Sequence, residues 1–390
     1  MDLCRELFIN TSQGHGNSGR KLTILPNGVL PKNSPPFSKI DDENGLEIFC
    51  SKYTYLQIFV EARNHLQSCG ANTLSNDEET YLATLGLLLI TPEDRTVLNL
   101  HEELLLRRLK TQLGDRWAVT EESKLLFECE LSAIMLLLTS SSNRVNKSSS
   151  LWLLFKKLYT LKREVFVNSK INCCQLFMSS AERHISNFYC WNTLRWVYDL
   201  EGPAAQTELF EAVWNFSKRH PKDSSAWWAL GHILLRLPGP ASDSIQSYNA
   251  LRARFHLTNR FTQALNSERH FGKEPGANVA LYFSKIMAYI EVGEVRDWPP
   301  FGCLVRLSQH MSSEEHYHSL RTWRNEIDAF EENYFEINQK SVASAIYKNN
   351  RGLLIQRSVE SLLLRKTSLS KIDIVSLRNT KKVDSKNKKN

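Results

Sequence analysis

One short pattern occurs three times in the middle of the chain, and it constrains the fold more than any other feature. Each copy has an arginine eight residues before a tryptophan, in RVNKSSSLW, RHISNFYCW and RHPKDSSAW, which end at Trp152, Trp191 and Trp227. A weaker copy, ITPEDRTVL, has Leu98 in the tryptophan position. These four anchor residues are 54, 39 and 36 residues apart, which suits a two-helix hairpin with insertions of varying length.

Each copy has the layout of a polar turn followed by a helix. In HPKDSS, Pro221 interrupts the preceding helix, and Asp223 or Ser224 can cap the next one. Because one hairpin cannot bury both of its faces, such units stack on one another. The pattern therefore predicts an all-α fold, a superhelical solenoid of stacked antiparallel helix hairpins. The four anchor residues are expected to be structural and to fill the core of the repeats.

The chain divides into three segments by composition. Residues 1–45 contain many Gly and Pro residues and predict an irregular segment, in which the run LTIL is either a strand or a loop. Residues 46–366 have helical periodicity and form the predicted solenoid, with an opening helix over 46–65 and the clearest repeats at 76–237. Residues 367–390 predict a disordered basic tail.

The distribution of charge argues against nucleic acid as a partner. The net charge is +7, but about five of these charges lie between Arg378 and Asn390, so the repeat body is close to neutral. The sequence has no apolar run long enough for a membrane span, and its N-terminus lacks the hydrophobic core of a signal peptide. The eight cysteines are scattered, which predicts reduced thiols and a cytoplasmic location.

The sequence offers few motifs with chemistry of their own. Cys173, Cys174, His184 and Cys190 are close together, but their spacing along a helix, a turn and a second helix does not give the closed tetrad of a structural zinc site. Core thiols and a turn histidine are the preferred interpretation. The glycine-rich stretch 14–21 has Arg and Lys where a phosphate loop needs Lys and Ser or Thr, so no nucleotide site is expected.

The anchors and their polar turns, in TVLN, KSSSLW, FYCWNTLRW and SSAWWALGHIL, resemble the repeats of protein prenyltransferase alpha subunits. The resemblance implies the alpha-type, non-zinc subunit of a heterodimeric protein geranylgeranyltransferase, with geranylgeranyl preferred to farnesyl, that is inactive alone. Its implied partners are a prenyltransferase beta subunit and protein substrates with a C-terminal cysteine. No cofactor is expected in this chain, and zinc and geranylgeranyl diphosphate are expected in the beta subunit.

The resemblance also assigns two site residues. In that family a lysine five residues before the second tryptophan reaches the lipid diphosphate, and Lys147 stands five residues before Trp152. An ammonium group there would stabilise the charge that develops on the leaving diphosphate. Tyr189 is a second expected diphosphate contact, because the family has Tyr-His where this chain has Phe188-Tyr189. For Lys147, a solvated turn lysine is the competing interpretation.

The same repeats are also compatible with a second function. A helical-repeat adaptor, similar to a tetratricopeptide array, would bind protein partners without catalysis. Tetratricopeptide units repeat about every 34 residues, and the irregular anchor spacing of this chain counts against that particular array.

Overall fold

The computed structural model describes residues 1–12, 20–31, 33–42, 45–69, 77–110, 117, 119–235, 242–257, 276–293, 295, 297–308 and 310–311. Over these ranges the chain is mostly helical, with fourteen α-helices and a three-stranded sheet. It divides into two compact units. One comprises Met1–Phe216 and Gly239–Phe271, and the other Ser217–Pro238 and Gly272–Asn390.

The first unit contains most of the helices. They are α1 (Asp2–Ser12), α2 (Lys52–Cys69), α3 (Asp77–Ile90), α4 (Arg95–Leu109), α5 (Glu121–Leu138), α6 (Asn143–Asn146), α7 (Ser149–Glu164), α8 (Cys173–Arg183), α9 (Phe188–Leu200), α10 (Pro203–Arg219, of which the last three residues belong to the second unit) and α12 (Ser242–Arg254). The helical character predicted for residues 76–237 is confirmed in their described part, where α3 to α10 and the segment Ser224–Leu234 are helical.

The N-terminal segment differs from the prediction. Instead of an irregular stretch, it contains α1 and a sheet of β1 (Arg20–Leu25), β2 (Phe37–Asp42) and β3 (Gly45–Ser51) in the order β1-β3-β2. β3 runs parallel to β1 and antiparallel to β2. The first part of the helix predicted over 46–65 is therefore a strand. Its apolar residues alternate with period two, and pairing with two other strands decides the conformation.

The four repeat copies share a capping position that explains their sequence pattern. Four residues before each anchor, a polar side chain accepts a hydrogen bond from the backbone N–H of the residue just before the anchor. The caps are Asp94, Ser148, Asn187 and Asp223, and they precede α4, α7, α9 and α11 (Ser224–Leu234). Such caps satisfy N–H groups that the helix itself leaves unpaired. The pattern that recurs in the sequence is therefore a helix start followed by a buried residue in the first turn.

The anchor residues of the first unit lie in its core. Trp152 and Trp191 are each 1% exposed, and Leu98 is 5% exposed. The Trp152 ring stacks on Phe177 at 5.9 Å between centroids, and its indole N–H donates to the backbone oxygen of Asn146 at 2.9 Å. Large rings in these positions remove apolar area from water in successive hairpins.

The second unit contains α11, α13 (Gly276–Val292) and α14 (Trp298–Ser308) in its described part. Trp227 is 1% exposed and stacks on Tyr289 at 5.7 Å. At Gly231 an added Cβ would lie 3.5 Å from the Cys303 sulfur and 3.4 Å from the Arg306 side chain, which is ordinary van der Waals contact, so α11 and α14 are neighbours at this position. The last part of the predicted solenoid, 312–366, and the basic tail at 367–390 lie outside the described residues.

Glu93 connects the first repeat turn to the start of α7. Its carboxylate accepts hydrogen bonds from the hydroxyls of Ser148, Ser149 and Ser150 at 2.6, 2.9 and 2.9 Å. Burial alone would raise the pKa of Glu93, but the hydrogen bonds from these serines lower it below the ordinary value of 4.5. The ionised carboxylate also lies at the positive end of the helix dipole.

Glu93→Gln is expected to destabilise the protein by about 0.5 to 1 kcal/mol at neutral pH, since the carboxylate is exposed and screened. Because the folded-state pKa is lowered, the stabilising contribution is present above pH 4.5 and is lost as the pH falls through the folded-state value. Urea denaturation of both proteins between pH 7 and about pH 3 tests this. A stability difference that persists undiminished at the acid end would contradict it.

Candidate binding groove

An open groove of about 910 Å³ lies in the first unit, between α5, the α7–α8 loop, α8 and the start of α10. Apolar, amide, hydroxyl and charged side chains all contribute to its lining. Its lining includes Arg20, Glu128, Leu131, Ser132, Met135, Lys162, Val167, Asn168, Lys170, Asn172, Cys173, Cys174, Gln175, Glu201, Ala205 and Glu208. The volume is at the upper end of the range of sites that enclose small ligands, and the groove is partly open to solvent.

The α7–α8 loop is the wall that gives the groove its shape. Phe166 stacks on Phe127 of α5 at 4.2 Å, and the backbone N–H of Ser169 donates to the Phe166 oxygen at 3.0 Å. Asn172 then caps α8 by accepting from the N–H of Gln175 at 2.9 Å. A stacked aromatic pair on one side and a helix cap on the other hold the loop, so Val167 is exposed on a fixed backbone.

Charges of both signs border the groove. Glu201 pairs with Arg163 at 3.0 Å and accepts from the Tyr159 hydroxyl. Burial opposes the charge of Arg163, but Tyr159 and Glu201 outweigh it and raise the pKa of that guanidinium. Arg20 is held differently: it donates to the Thr11 oxygen at 2.8 Å, and burial lowers its pKa to about 10. The groove therefore carries both positive and negative side chains, and it does not select strongly for a polyanion.

The two groove cysteines are protonated thiols. Burial, with Glu201 nearby, raises the pKa of Cys173, and burial followed by Glu208 raises the pKa of Cys174 to about 11. A thiolate is the reactive form of cysteine, and this surrounding suppresses it. In the part of the chain that the structure describes, no three His, Cys, Asp or Glu side chains come together to hold a metal ion.

Alkylation of Cys174 by iodoacetamide at pH 8 is expected to be about 100-fold slower in the native protein than in the urea-unfolded chain. The folded thiol has a pKa near 11 and the free thiol a pKa of 9.0. Site-resolved mass spectrometry measures both rates. Since accessibility alone would lower the native rate at every pH, the pH dependence is decisive. The native rate should keep rising beyond pH 9, where the unfolded rate levels off, and a native plateau at or below pH 9 would contradict the raised pKa.

The two residues assigned by resemblance lie outside this groove. Lys147 follows α6, and its ammonium group donates to the backbone oxygen of Ile185 at 2.9 Å. Tyr189 is 40% exposed in the first turn of α9, edge-on to Phe188 at 5.4 Å. Of the four clustered Cys and His residues, Cys173 and Cys174 line the groove, whereas Cys190 is buried and its thiol donates to the Phe177 oxygen at 3.4 Å.

A buried polar network behind the groove was missed by sequence reasoning. Helical spacing places Glu130 on the face of α5 opposite the groove. There it accepts from the Tyr81 hydroxyl and lies 3.0 Å from His101 Nε2, while His101 Nδ1 is 2.8 Å from the Thr84 hydroxyl. All four side chains are fully buried. The only sequence signal is Glu130 inside the mostly apolar run LLFECELSAIMLLL, which also contains Glu128.

The bond directions in this network fix how many protons it holds. Thr84 donates its hydroxyl proton to the Tyr81 backbone oxygen at 2.8 Å, so it accepts from His101 Nδ1. One further proton is then shared between His101 Nε2 and Glu130, and the pair has no net charge wherever that proton sits. Burial and the adjacent Glu130 raise the pKa of Tyr81 well above its ordinary value. The network is satisfied and neutral, which makes it structural.

None of the helices within the described ranges combines the length and apolar character that a membrane span requires.

Comparison with known proteins covers most of the chain. Residues 1–139 match the ECM9 N-terminal domain, residues 151–255 the ECM9 middle domain and residues 279–382 the ECM9 C-terminal domain. Protein ECM9 of Saccharomyces cerevisiae (strain ATCC 204508 / S288c) is 32% identical over 336 residues, which covers 85% of this chain and 85% of the yeast protein.

These matches correct the interpretation drawn from the repeat. The assignment to prenyltransferase alpha subunits was wrong, and so were the predicted geranylgeranyltransferase activity and the predicted beta-subunit partner. The roles of Lys147 and Tyr189 at a lipid diphosphate, and the zinc and isoprenoid expected in that partner, rested on the same resemblance. The capped helix start and buried anchor that produced it are features of helical hairpins in general. The chain belongs to the ECM9 family.

Proposed function

We propose that this protein is a scaffold that binds an extended segment of a protein partner in the groove of the first unit. The groove lining is the observation that carries the proposal. Asn168, Asn172 and Gln175 offer amides that pair with a peptide backbone, whereas Leu131 and Met135 offer apolar surface for side chains. Mixed charges at the rim suit a polypeptide with both signs of charge.

The chemistry of the groove favours binding over catalysis. Its two thiols have raised pKa values, and Glu201 is committed to Arg163 and Tyr159. A catalytic group needs a pKa shifted toward its task, whereas the raised pKa values of Cys173 and Cys174 keep both thiols protonated.

We further infer that the repeats stack as a superhelical solenoid that carries the groove. The support is the shared geometry of the four copies, in which a capped helix start precedes a buried anchor by four residues. Units with one repeated core position bury that position against their neighbours. Helical repeats commonly bind protein partners on an extended surface of this kind.

Photocrosslinking in cells tests the groove. A photoreactive amino acid is placed at Val167, which is 61% exposed in the groove wall, or at Val60, which is 54% exposed on α2. The proposal predicts a discrete covalent adduct with one protein from position 167 and no such adduct from position 60. The same adducts from both positions, or none from position 167, would overturn it.

A pair of neighbouring variants in α10 provides the matched control. Ala205 lines the groove, and Ala204 beside it is exposed and does not. Ala205→Trp should fill the groove and remove the adduct formed at position 167, whereas Ala204→Trp should leave it unchanged. Circular dichroism melts of both variants establish that each is folded. Adduct formation that survives Ala205→Trp would place the partner elsewhere.

A further inference from the structure

Ser169, in the wall of the groove, has a buried hydroxyl group that the free protein leaves unpaired. The residue is 3% exposed. Within the described part of the chain, its hydroxyl oxygen has no hydrogen-bond partner. Buried hydroxyl groups are normally paired, because a hydrogen bond that is not made away from water costs free energy. An unpaired hydroxyl in a groove wall therefore indicates that its partner comes from a bound molecule.

The loop that carries Ser169 is held by contacts that do not use this hydroxyl. The backbone N–H of Ser169 donates to the Phe166 oxygen at 3.0 Å, and the Phe166 ring stacks on Phe127 at 4.2 Å. At the other end of the loop, Asn172 accepts from the N–H of Gln175 at 2.9 Å. The position of Ser169 is therefore set before a partner binds, which lowers the cost of ordering the site.

The two neighbours of Ser169 in the chain line the same groove. They are Asn168 and Lys170, and both are exposed. This stretch of the wall therefore carries an amide, a hydroxyl and an ammonium group in succession. All three groups can donate a hydrogen bond, and the ammonium group can only donate. The wall thus suits a bound segment that offers acceptor oxygens at this point.

We propose that Ser169 helps to determine which segments the groove accepts, by donating a hydrogen bond from its hydroxyl to an oxygen of the bound segment. This inference rests on the function proposed above. A segment that places an acceptor oxygen beside Ser169 pairs the buried hydroxyl, whereas a segment that places an apolar group there leaves it unpaired. The acceptor is a backbone carbonyl or the carboxylate of an acidic side chain. Only the carboxylate would also form an ion pair with Lys170.

Ser169→Ala separates a binding hydroxyl from a structural one, because the two roles predict different effects on stability. Since the hydroxyl is unpaired in the free protein, its removal should leave the urea midpoint of the full chain unchanged or raise it. The same variant should raise the Kd of the partner, purified after crosslinking from position 167, by about fivefold or more. Fluorescence anisotropy of the labelled partner measures the Kd. A lower urea midpoint, or an unchanged Kd, would overturn the proposal.

Ser132→Ala is the matched control, since it removes a hydroxyl from the same groove. Ser132 is partly exposed, so water can pair its hydroxyl in the free protein, and the variant should change the Kd less than about twofold. Lys170→Gln distinguishes the two acceptors. With the Ser169→Ala effect in place, a raised Kd in Lys170→Gln indicates a carboxylate, and an unchanged Kd indicates a backbone carbonyl.

The failure of this inference can be told from failure of the proposed function. If Ala205→Trp abolishes binding and Ser169→Ala leaves the Kd unchanged, the groove is the binding site and the role of Ser169 is wrong. If position 167 gives no adduct in the otherwise unchanged protein, the proposed function is overturned, and the role of Ser169 is overturned with it.

Discussion

Trp152→Ala is expected to destabilise the first unit by about 3 to 5 kcal/mol, the range found for large buried aromatic residues truncated in a packed core. Trp152 is 1% exposed, stacks on Phe177 and lies edge-on to Phe155 at 6.0 Å. Its indole N–H also donates to the Asn146 oxygen at 2.9 Å. The variant therefore leaves a cavity and removes a buried hydrogen bond in one change.

The neighbouring residue supplies the control for this prediction. Leu153 follows Trp152 in α7 but is 44% exposed, so Leu153→Ala should cost less than about 1 kcal/mol. Guanidinium denaturation, followed by far-ultraviolet circular dichroism, measures both free energies of unfolding. Similar small losses in the two variants would show that the anchor position does not carry the core of the repeat.

Glu130→Ala is expected to destabilise the protein by about 3 to 5 kcal/mol, since it removes one partner from a buried network. The Tyr81 hydroxyl and His101 Nε2 would both be left without their hydrogen-bond partner in a region that excludes water. Glu130→Gln should cost less than about 1 kcal/mol. The amide oxygen can accept from Tyr81, and the amide N–H can donate to a neutral His101 that still donates to Thr84.

The comparison between these two variants tests how the proton is shared. If the network is neutral, an uncharged glutamine replaces glutamate without leaving a buried charge. Urea denaturation at pH 7 gives the two free energies. Equal, large losses in Glu130→Gln and Glu130→Ala would contradict the small cost predicted for Glu130→Gln and indicate that the shared proton lies on His101, opposite an ionised glutamate.

Local features of this fold could be predicted from the sequence. Asp223 before α11 is a capping residue at the start of a helix, and Trp227 falls where the first turn faces the core. Both properties depend on residues within one turn of each other. The same features misled the functional interpretation, because capped starts and buried anchors describe how hairpins are built and not what they bind.

Features that depend on distant contacts could not be predicted. The strand Gly45–Ser51 has apolar residues that fit a helical spacing as well, and only pairing with β1 and β2 makes it a strand. His101 and Glu130 are 29 residues apart, and neither position alone signals their contact. The groove collects its lining from Arg20 to Leu209, so no local stretch of sequence marks it.

The groove is tested most directly by hydrogen exchange of the full chain, alone and with the purified partner identified by crosslinking at Val167. Binding of the partner in the groove should slow exchange in the loop 165–172 and in the first turn of α10, where lining residues lie. Exchange in α2 should stay unchanged. Protection in α2 with none in the α7–α8 loop would contradict the assignment of the groove as the site where the partner binds.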